Sequence, residues 1–245
     1  MEFIYLATFL VAFISSTLSG IAGGGGGYLM APYWLLSGMT PAQGATTGGF
    51  MAIGMGASSL AAFRTTDHFP RSKKLSIVLT LITGIASVIG ALTLAHIETS
   101  SFRTILAIIT VLSLPMLFID RRKITLSKRH RDIGIALLVL LLLASSIITS
   151  SAFSILIAIG LSQLFNLSIL QSTALRRLIG LVQSVVIFSI LAFQGNFLFF
   201  HAIAAIVGGS AGSYLGTRFA IKKGENFAKY ALAVGATIGA VALLA

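Results

Sequence analysis

The chain has no cysteine, and of its 245 residues only six are acidic, four are proline and one is tryptophan. Each shortage closes off a class of function. Without thiols there are no disulfides, no thiolate metal sites and no cysteine nucleophile. The acids Glu2, Asp67, Glu98, Asp120, Asp132 and Glu225 all fall in loops or at the ends of apolar segments. A proton relay along carboxylates inside a membrane therefore has no members. Paired-acid hydrolysis and zinc chemistry lack a ligand cluster in the same way. His201 falls near the start of its apolar segment and reads as interfacial. No catalytic residue, metal site or cofactor is expected.

Charge of both signs is scarce. Charged residues make up 9% of the chain and hydrophobic ones 56%, where a soluble domain carries about 25% charged residues. An ordinary soluble domain is excluded, and the mean hydropathy of +0.99 points to a polytopic membrane protein. At about 20 residues per span, the chain suffices for roughly eight to ten spans and little else. The net charge of +11 would suggest nucleic acid in a soluble protein. Here the Lys and Arg residues gather in three loops, 64–74, 120–132 and 218–229, which the positive-inside effect explains better. The expected partners are a lipid bilayer and a small anion, with no nucleic acid and with a homodimer left open. Phe3–Leu18 has no basic leader and no small-residue cleavage site, so it reads as a retained span.

What the chain does have is long apolar runs. The first half gives Phe3–Leu18, a short Tyr28–Leu36, Pro41–Phe63, Leu75–Ala95 and Thr104–Ile119. After the loop Asp120–Asp132, DRRKITLSKRHRD, the second half gives Ile133–Ile148, Phe153–Phe165, Ser168–Phe193, Phe197–Thr217 and Phe227–Leu244. The halves echo each other: Gln43 falls opposite Gln171, Ala61-Ala62-Phe63 opposite Leu191-Ala192-Phe193, Gly90 opposite Gly216 and Phe102 opposite Phe227. We therefore divide the chain into a first transmembrane repeat at 1–119, a basic connecting loop at 120–132 and a second repeat at 133–245. With the three basic loops on the cytoplasmic side, each half crosses an odd number of times and the repeats are inverted. If Tyr28–Leu36 and Phe153–Phe165 are instead re-entrant, eight spans remain, the repeat is parallel and Lys222 and Lys223 lie outside. The expected fold is all-α and polytopic, with 8–10 hydrophobic segments, two inverted repeats and broken or short helices near the midplane.

The richest stretch is Ser19–Thr47, which holds five consecutive glycines, Gly23, Gly24, Gly25, Gly26 and Gly27. Each glycine costs about 1 kcal/mol against alanine in a helix interior, and unpaired backbone at membrane depth needs protein or water around it. The stretch is expected to break a helix beside a cavity. Together with Gly20, Pro32, Gly38, Pro41 and Ala45-Thr46-Thr47 it resembles the TauE/SafE family of membrane permeases. Thr47 stands where that pattern has serine, and the hydroxyl is kept. The resemblance implies transport of sulfite, organosulfonates or related small anions.

An anion needs donors, and broken helix ends supply backbone N–H groups. Gln43, Thr46 and Thr47 lie three and four residues apart on the first turns of the helix that starts at Pro41, hence on one face. Ser150, Ser151, Gln171 and Thr173 occupy the equivalent region of the second half, where Thr149-Ser150-Ser151 replaces the glycine run. Arg176 and Arg177 are the charges that fall well inside a long apolar segment, and Gly48 and Gly49 are their counterparts. Such charges mark function unless they snorkel to the surface. The sequence thus reads as a multi-pass cell-membrane transporter moving a small anion by alternating access. The alternatives are a carrier of another carboxylate or inorganic anion, and a non-transporting membrane scaffold.

Overall fold

The computed structural model describes residues 2–22, 27–69, 72–94, 128–148 and 151–223, and among them it is helical with no strand. Eight helices are described. The first four are α1 (Glu2–Ala22), α2 (Gly27–Leu36), α3 (Pro41–Phe63) and α4 (Lys73–Leu94). The second four are α5 (Lys128–Ile148), α6 (Ser151–Phe165), α7 (Ile169–Phe193) and α8 (Phe199–Lys223). By length and composition, Phe3–Ile21, Lys73–Thr93, Leu170–Phe193 and Phe199–Lys223 can cross a bilayer. The short helices cannot: α2 with 10 residues and α6 with 15 reach roughly 15 and 22 Å against a core of about 30 Å.

Most expected segments match these helices within two or three residues at the start, and the differences have local causes. The helix α5 begins at Lys128, inside the segment expected as loop, because Lys and Arg are good helix formers and can extend a span into the interface. At the other end of the chain, α8 runs to Lys223 rather than Thr217, with two lysines in its last turn, where positive charge suits the helix dipole. Gly23–Gly26, Ser150, Thr104–Ile119, most of Asp120–Asp132 and Phe227–Leu244 lie outside the described residues.

Contacts between particular residues fix the direction of each helix. Phe9, Phe13 and Thr17 of α1 face Gly208, Gly212 and Gly216 of α8, so these two helices run parallel. Gly54 lies against Ile206 and Ser210, and the Ser59 hydroxyl meets those of Ser213 and Thr217 at 2.7 and 2.9 Å. Hence α3 also runs parallel to α8. By contrast Gly49 lies against Ser184 and Phe188 while Gly56 lies against Arg177 and Leu181, so α3 and α7 are antiparallel. Gly134 meets Leu164 and Gly160 meets Leu138, making α5 and α6 an antiparallel pair.

These directions gather the charges. The C-terminal ends of α1, α3 and α8 lie at the same end of the bundle as the N-terminal ends of α4, α5 and α7. That end carries Arg64, Lys73, Lys74, Lys128, Arg129, Arg131, Arg218, Lys222 and Lys223. Among the described residues no Lys or Arg lies at the opposite end, where Phe50, Phe188 and Phe197 pack ring against ring at centroid distances of 4.9, 5.6 and 5.3 Å.

The main helix pairings are α1 with α8, α4 with α5, α3 with α8, α4 with α7, α3 with α7, α1 with α2, α5 with α6, α2 with α3, α6 with α7, and α2 with α6. Exchanging the first four helices for the second four leaves this set unchanged. The interior is rich in small polar groups, with Ser15, Ser16, Ser19, Thr46, Thr47, Ser59, Thr83, Ser87, Ser145, Ser146 and Ser172 buried, while Leu6, Leu10, Ile14, Leu81, Ile85, Val207 and Leu215 face outward. A soluble protein has the reverse arrangement. In lipid, apolar surface is solvated and hydroxyls join helices.

Candidate functional site

The first turns of α3 and α7 are built alike. The Thr40 amide donates to Gln43 Oε1 at 3.0 Å and the Gln43 amide to Thr40 Oγ1 at 3.2 Å. In the second half the Ser168 amide donates to Gln171 Oε1 at 3.0 Å and the Gln171 amide to Ser168 Oγ at 3.1 Å. Both are capping boxes, which satisfy helix-start donors reciprocally. Pro41 sits at N1 of α3, where its missing N–H costs nothing. Thr46 Oγ1 donates back to the Ala42 carbonyl at 2.6 Å. The Thr47 hydroxyl is fully buried with no partner among the described residues, and Thr173 is buried on the first turns of α7. Ser151 opens α6 and Gly27 opens α2.

The antiparallel run of α3 and α7 sorts the expected residues into two groups. Gln43, Thr46 and Thr47 lie beside the C-terminal part of α7, where Ala42 clusters with Ile187 and Leu191. Gln171, Thr173, Arg176 and Arg177 lie toward the basic end, opposite the C-terminal part of α3. One helix face thus does not bring the two groups together. In Arg177, Nη2 donates to the Ser19 carbonyl and, at 2.9 Å, to the Ser19 hydroxyl. Ser19 belongs to the last turn of α1, where carbonyls lack helical partners and the dipole favours a cation.

Arg176 turns the other way. Its guanidinium lies over Gly180, one turn further along α7. From there Nη2 donates to Gln183 Oε1 and to Ser154 Oγ, both at 3.3 Å. Helical side chains ordinarily lean toward the N-terminus of their helix, which for Arg176 would mean leaning toward the basic end. Gly180 and Gln183 flank the middle of the Leu170–Phe193 span. The Arg176 charge is therefore held toward mid-helix and does not snorkel outward.

Gln183 extends the network. Its Nε2 donates to the Ser145 carbonyl at 3.1 Å and to Ser146 Oγ at 3.2 Å, and Ser145 lies in the last turn of α5. The two arginines of α7 thus serve the C-terminal ends of α1 and α5, Arg177 directly and Arg176 through Gln183. Arg176 is 9% exposed. The Nε of each arginine is buried without a partner among the described residues. Among the described residues neither arginine meets a carboxylate, and no cluster of metal-ligating groups occurs there. One cation meets the end of α1 and the other reaches the end of α5 through Gln183, with hydroxyls and a carboxamide around them, an arrangement suited to attracting an anion. A family model described as "Sulfite exporter TauE/SafE" matches residues 8–243 of the chain.

The chain belongs to the TauE/SafE family. That description and the four span-length helices make it a membrane transporter. Neither the curated proteins nor the solved structures contain a match. For this TauE/SafE chain, the sequence reading missed Ser19, Ser145, Ser146, Ser154 and Gln183. A signal for three of them was present: Ser15-Ser16-x-x-Ser19 in α1 recurs as Ser145-Ser146-x-x-Thr149 at the end of α5. For Gln183 there was none, since one glutamine in an apolar helix also reads as an interhelical contact. Gly48, the counterpart of Arg176, lies against the Trp34 indole nitrogen, so an aromatic ring occupies the equivalent place in the first half.

Proposed function

We propose that this chain is a secondary transporter that moves a small anion, sulfite or an organosulfonate, by alternating access in the cell membrane. The observation that carries this reading is the Arg176 guanidinium, turned toward mid-helix with no carboxylate among the described residues. An arginine at the centre of a membrane helix costs about 2.5–3.5 kcal/mol on insertion scales. A bound anion offsets that cost; a scaffold gains nothing from it. The antiparallel α3 and α7, and pairings unchanged when the two sets of helices are exchanged, support repeats of inverted topology at 1–119 and 133–245. Two such halves can rock about a central site.

In this reading the anion binds between Arg176 and Arg177 and the chain breaks beside them. The glycines Gly23–Gly27 follow directly on the α1 turn that Arg177 reaches, and Ser150 and Ser151 follow on the α5 turn that Gln183 reaches. Gln171 and Thr173 line the approach from the basic end. Gln43, Thr46 and Thr47 line the approach from the opposite end, with Thr47 offering the unclaimed hydroxyl.

Sulfite flux into proteoliposomes tests the reading. Arg176→Gln removes the charge and keeps hydrogen-bonding capacity. It should weaken sulfite binding by the roughly 1.5–3 kcal/mol of charge-assisted hydrogen bonding, about ten- to a hundredfold. Arg176→Lys should recover part of the loss, since it restores charge without the planar fork. Wild-type flux in Arg176→Gln, at equal protein in the membrane, would refute the assignment.

A further inference from the structure

We propose that Gly180 is a positioning residue for Arg176: its missing side chain is the space through which the guanidinium reaches mid-membrane. The inference rests on the anion-binding reading above and adds to it the element that sets where the charge sits. Arg176 and Gly180 are four apart and share a helix face. A Cβ built on Gly180 would lie 2.7 Å from Arg176 Nη1 and 3.7 Å from its Cζ, closer than a methyl and a guanidinium nitrogen tolerate. Among the described residues, the backbone of α7 itself apart, no other heavy atom comes within 4 Å of that position. Among the described residues, the arginine alone requires glycine here.

The rest of the geometry depends on the same gap. With its guanidinium lying over Gly180, Arg176 places Nη2 within 3.3 Å of both Ser154 and Gln183. Gln183 is in turn tied to Ser145 and Ser146. A methyl at 180 forces the guanidinium sideways or back toward its own helix start, the direction an unconstrained side chain takes. The charge then leaves Ser154 and Gln183 and moves toward the basic end. Because the obstructed atom is the far end of a flexible side chain, displacement of the guanidinium and not unfolding is the expected response. Glycine is also the worst ordinary residue for a helix interior, and φ at Gly180 is not in the left-handed region. Its presence in α7 is therefore not explained by backbone conformation.

The experiment is a double-mutant cycle on the full chain in detergent, read by sulfite titration calorimetry and by thermal unfolding. Gly180→Ala should weaken sulfite binding about tenfold. In the Arg176→Ala background the same change should leave residual binding unaltered and raise Tm, because alanine is the better helix former and nothing obstructs it. With Arg176 present that gain in Tm should be smaller. The Tm coupling needs no ligand, so it reports the contact even if sulfite is the wrong anion. Equal effects of Gly180→Ala on Tm and on binding in both backgrounds would overturn the proposal. If Arg176→Ala weakens sulfite binding while Gly180→Ala does not, the positioning role alone fails. Unchanged binding in Arg176→Ala itself removes the anion site, and this inference with it.

Discussion

Thr40 and Ser168 show what a single side chain does at the mouth of a helix in this bundle. Each accepts from the backbone three residues on while its own amide donates to a glutamine. Replacing either by alanine leaves helix-start donors unsatisfied and should cost about 0.5–2 kcal/mol, measurable as a lowered Tm, with sulfite affinity intact. Gln43→Glu should behave differently. Glutamate keeps the capping acceptor and is a natural capping-box partner, so stability should hold, whereas a negative charge on the approach should slow anion flux. Intact flux in Gln43→Glu would remove Gln43 from the path. The pattern Thr-x-x-Gln and Ser-x-x-Gln before an apolar run is a capping-box signature that the sequence reading passed over in assigning Gln43 and Gln171 as anion donors, whereas the depth of Arg176 and Arg177 along a segment was legible. The sense in which each guanidinium turns was not. It depends on what lies one turn away, an absent Cβ at Gly180 for Arg176 and the end of α1 for Arg177.

At the scale of elements, the close approach of α1 and α8 is set by a stripe of glycines. A Cβ on Gly208, Gly212 or Gly216 would run into the backbone carbonyl oxygen of Phe9, Phe13 or Thr17. One on Gly20 would lie 2.6 Å from the Ser213 carbonyl oxygen. Backbone cannot step aside as a side-chain tip can, so Gly212→Val should separate the helices and cost at least the 1–3 kcal/mol or so typical of overpacking. It should also disturb the neighbouring hydroxyls of Ser59, Ser213 and Thr217, which tie α3 to α8. Thermal unfolding of Gly212→Val and of Gly84→Val separates packing from composition, since a Cβ on Gly84 meets nothing within 4 Å among the described residues. Glycines spaced by four residues, as Gly208, Gly212 and Gly216 are, let membrane helices approach closely, so a packing contact here can be read from the spacing. Its partner was not legible: any helix with exposed carbonyls fits such a stripe, and only the fold selects α1. The bounds of α3 were readable because Pro41 and the charged Arg64 frame it. Those of α5 and α8 were not, because lysine and arginine continue a helix as readily as they leave it.

For the whole molecule, the sorting of charge between its two ends decides how it sits in the bilayer. Basic residues favour the cytoplasmic side of short loops, and the helix directions put Arg64, Lys73, Lys74, Lys128 and Lys223 at one end. The re-entrant alternative with a parallel repeat sends Lys222 and Lys223 to the side opposite Lys73. That does not fit α3 and α8 running parallel, because α4 starts where α3 ends. The chain has no native cysteine, so single thiols report their own surroundings. Ser72→Cys, just before α4, and Lys223→Cys, at the end of α8, should both react with a membrane-impermeant thiol reagent applied from the cytoplasmic side. Asn196→Cys, in the turn between α7 and α8, should react only from the other side. Between Asn196 and the outer end of Lys223 lie the 25 residues of α8, roughly 37 Å of helix at 1.5 Å per residue, enough to keep the two thiols on opposite surfaces of a core about 30 Å thick. Labelling of Ser72→Cys and Lys223→Cys from opposite sides would break the common basic end. Labelling of all three from one side would mean that α8 does not cross the membrane, and the paired halves on which the transport reading depends would fall with it.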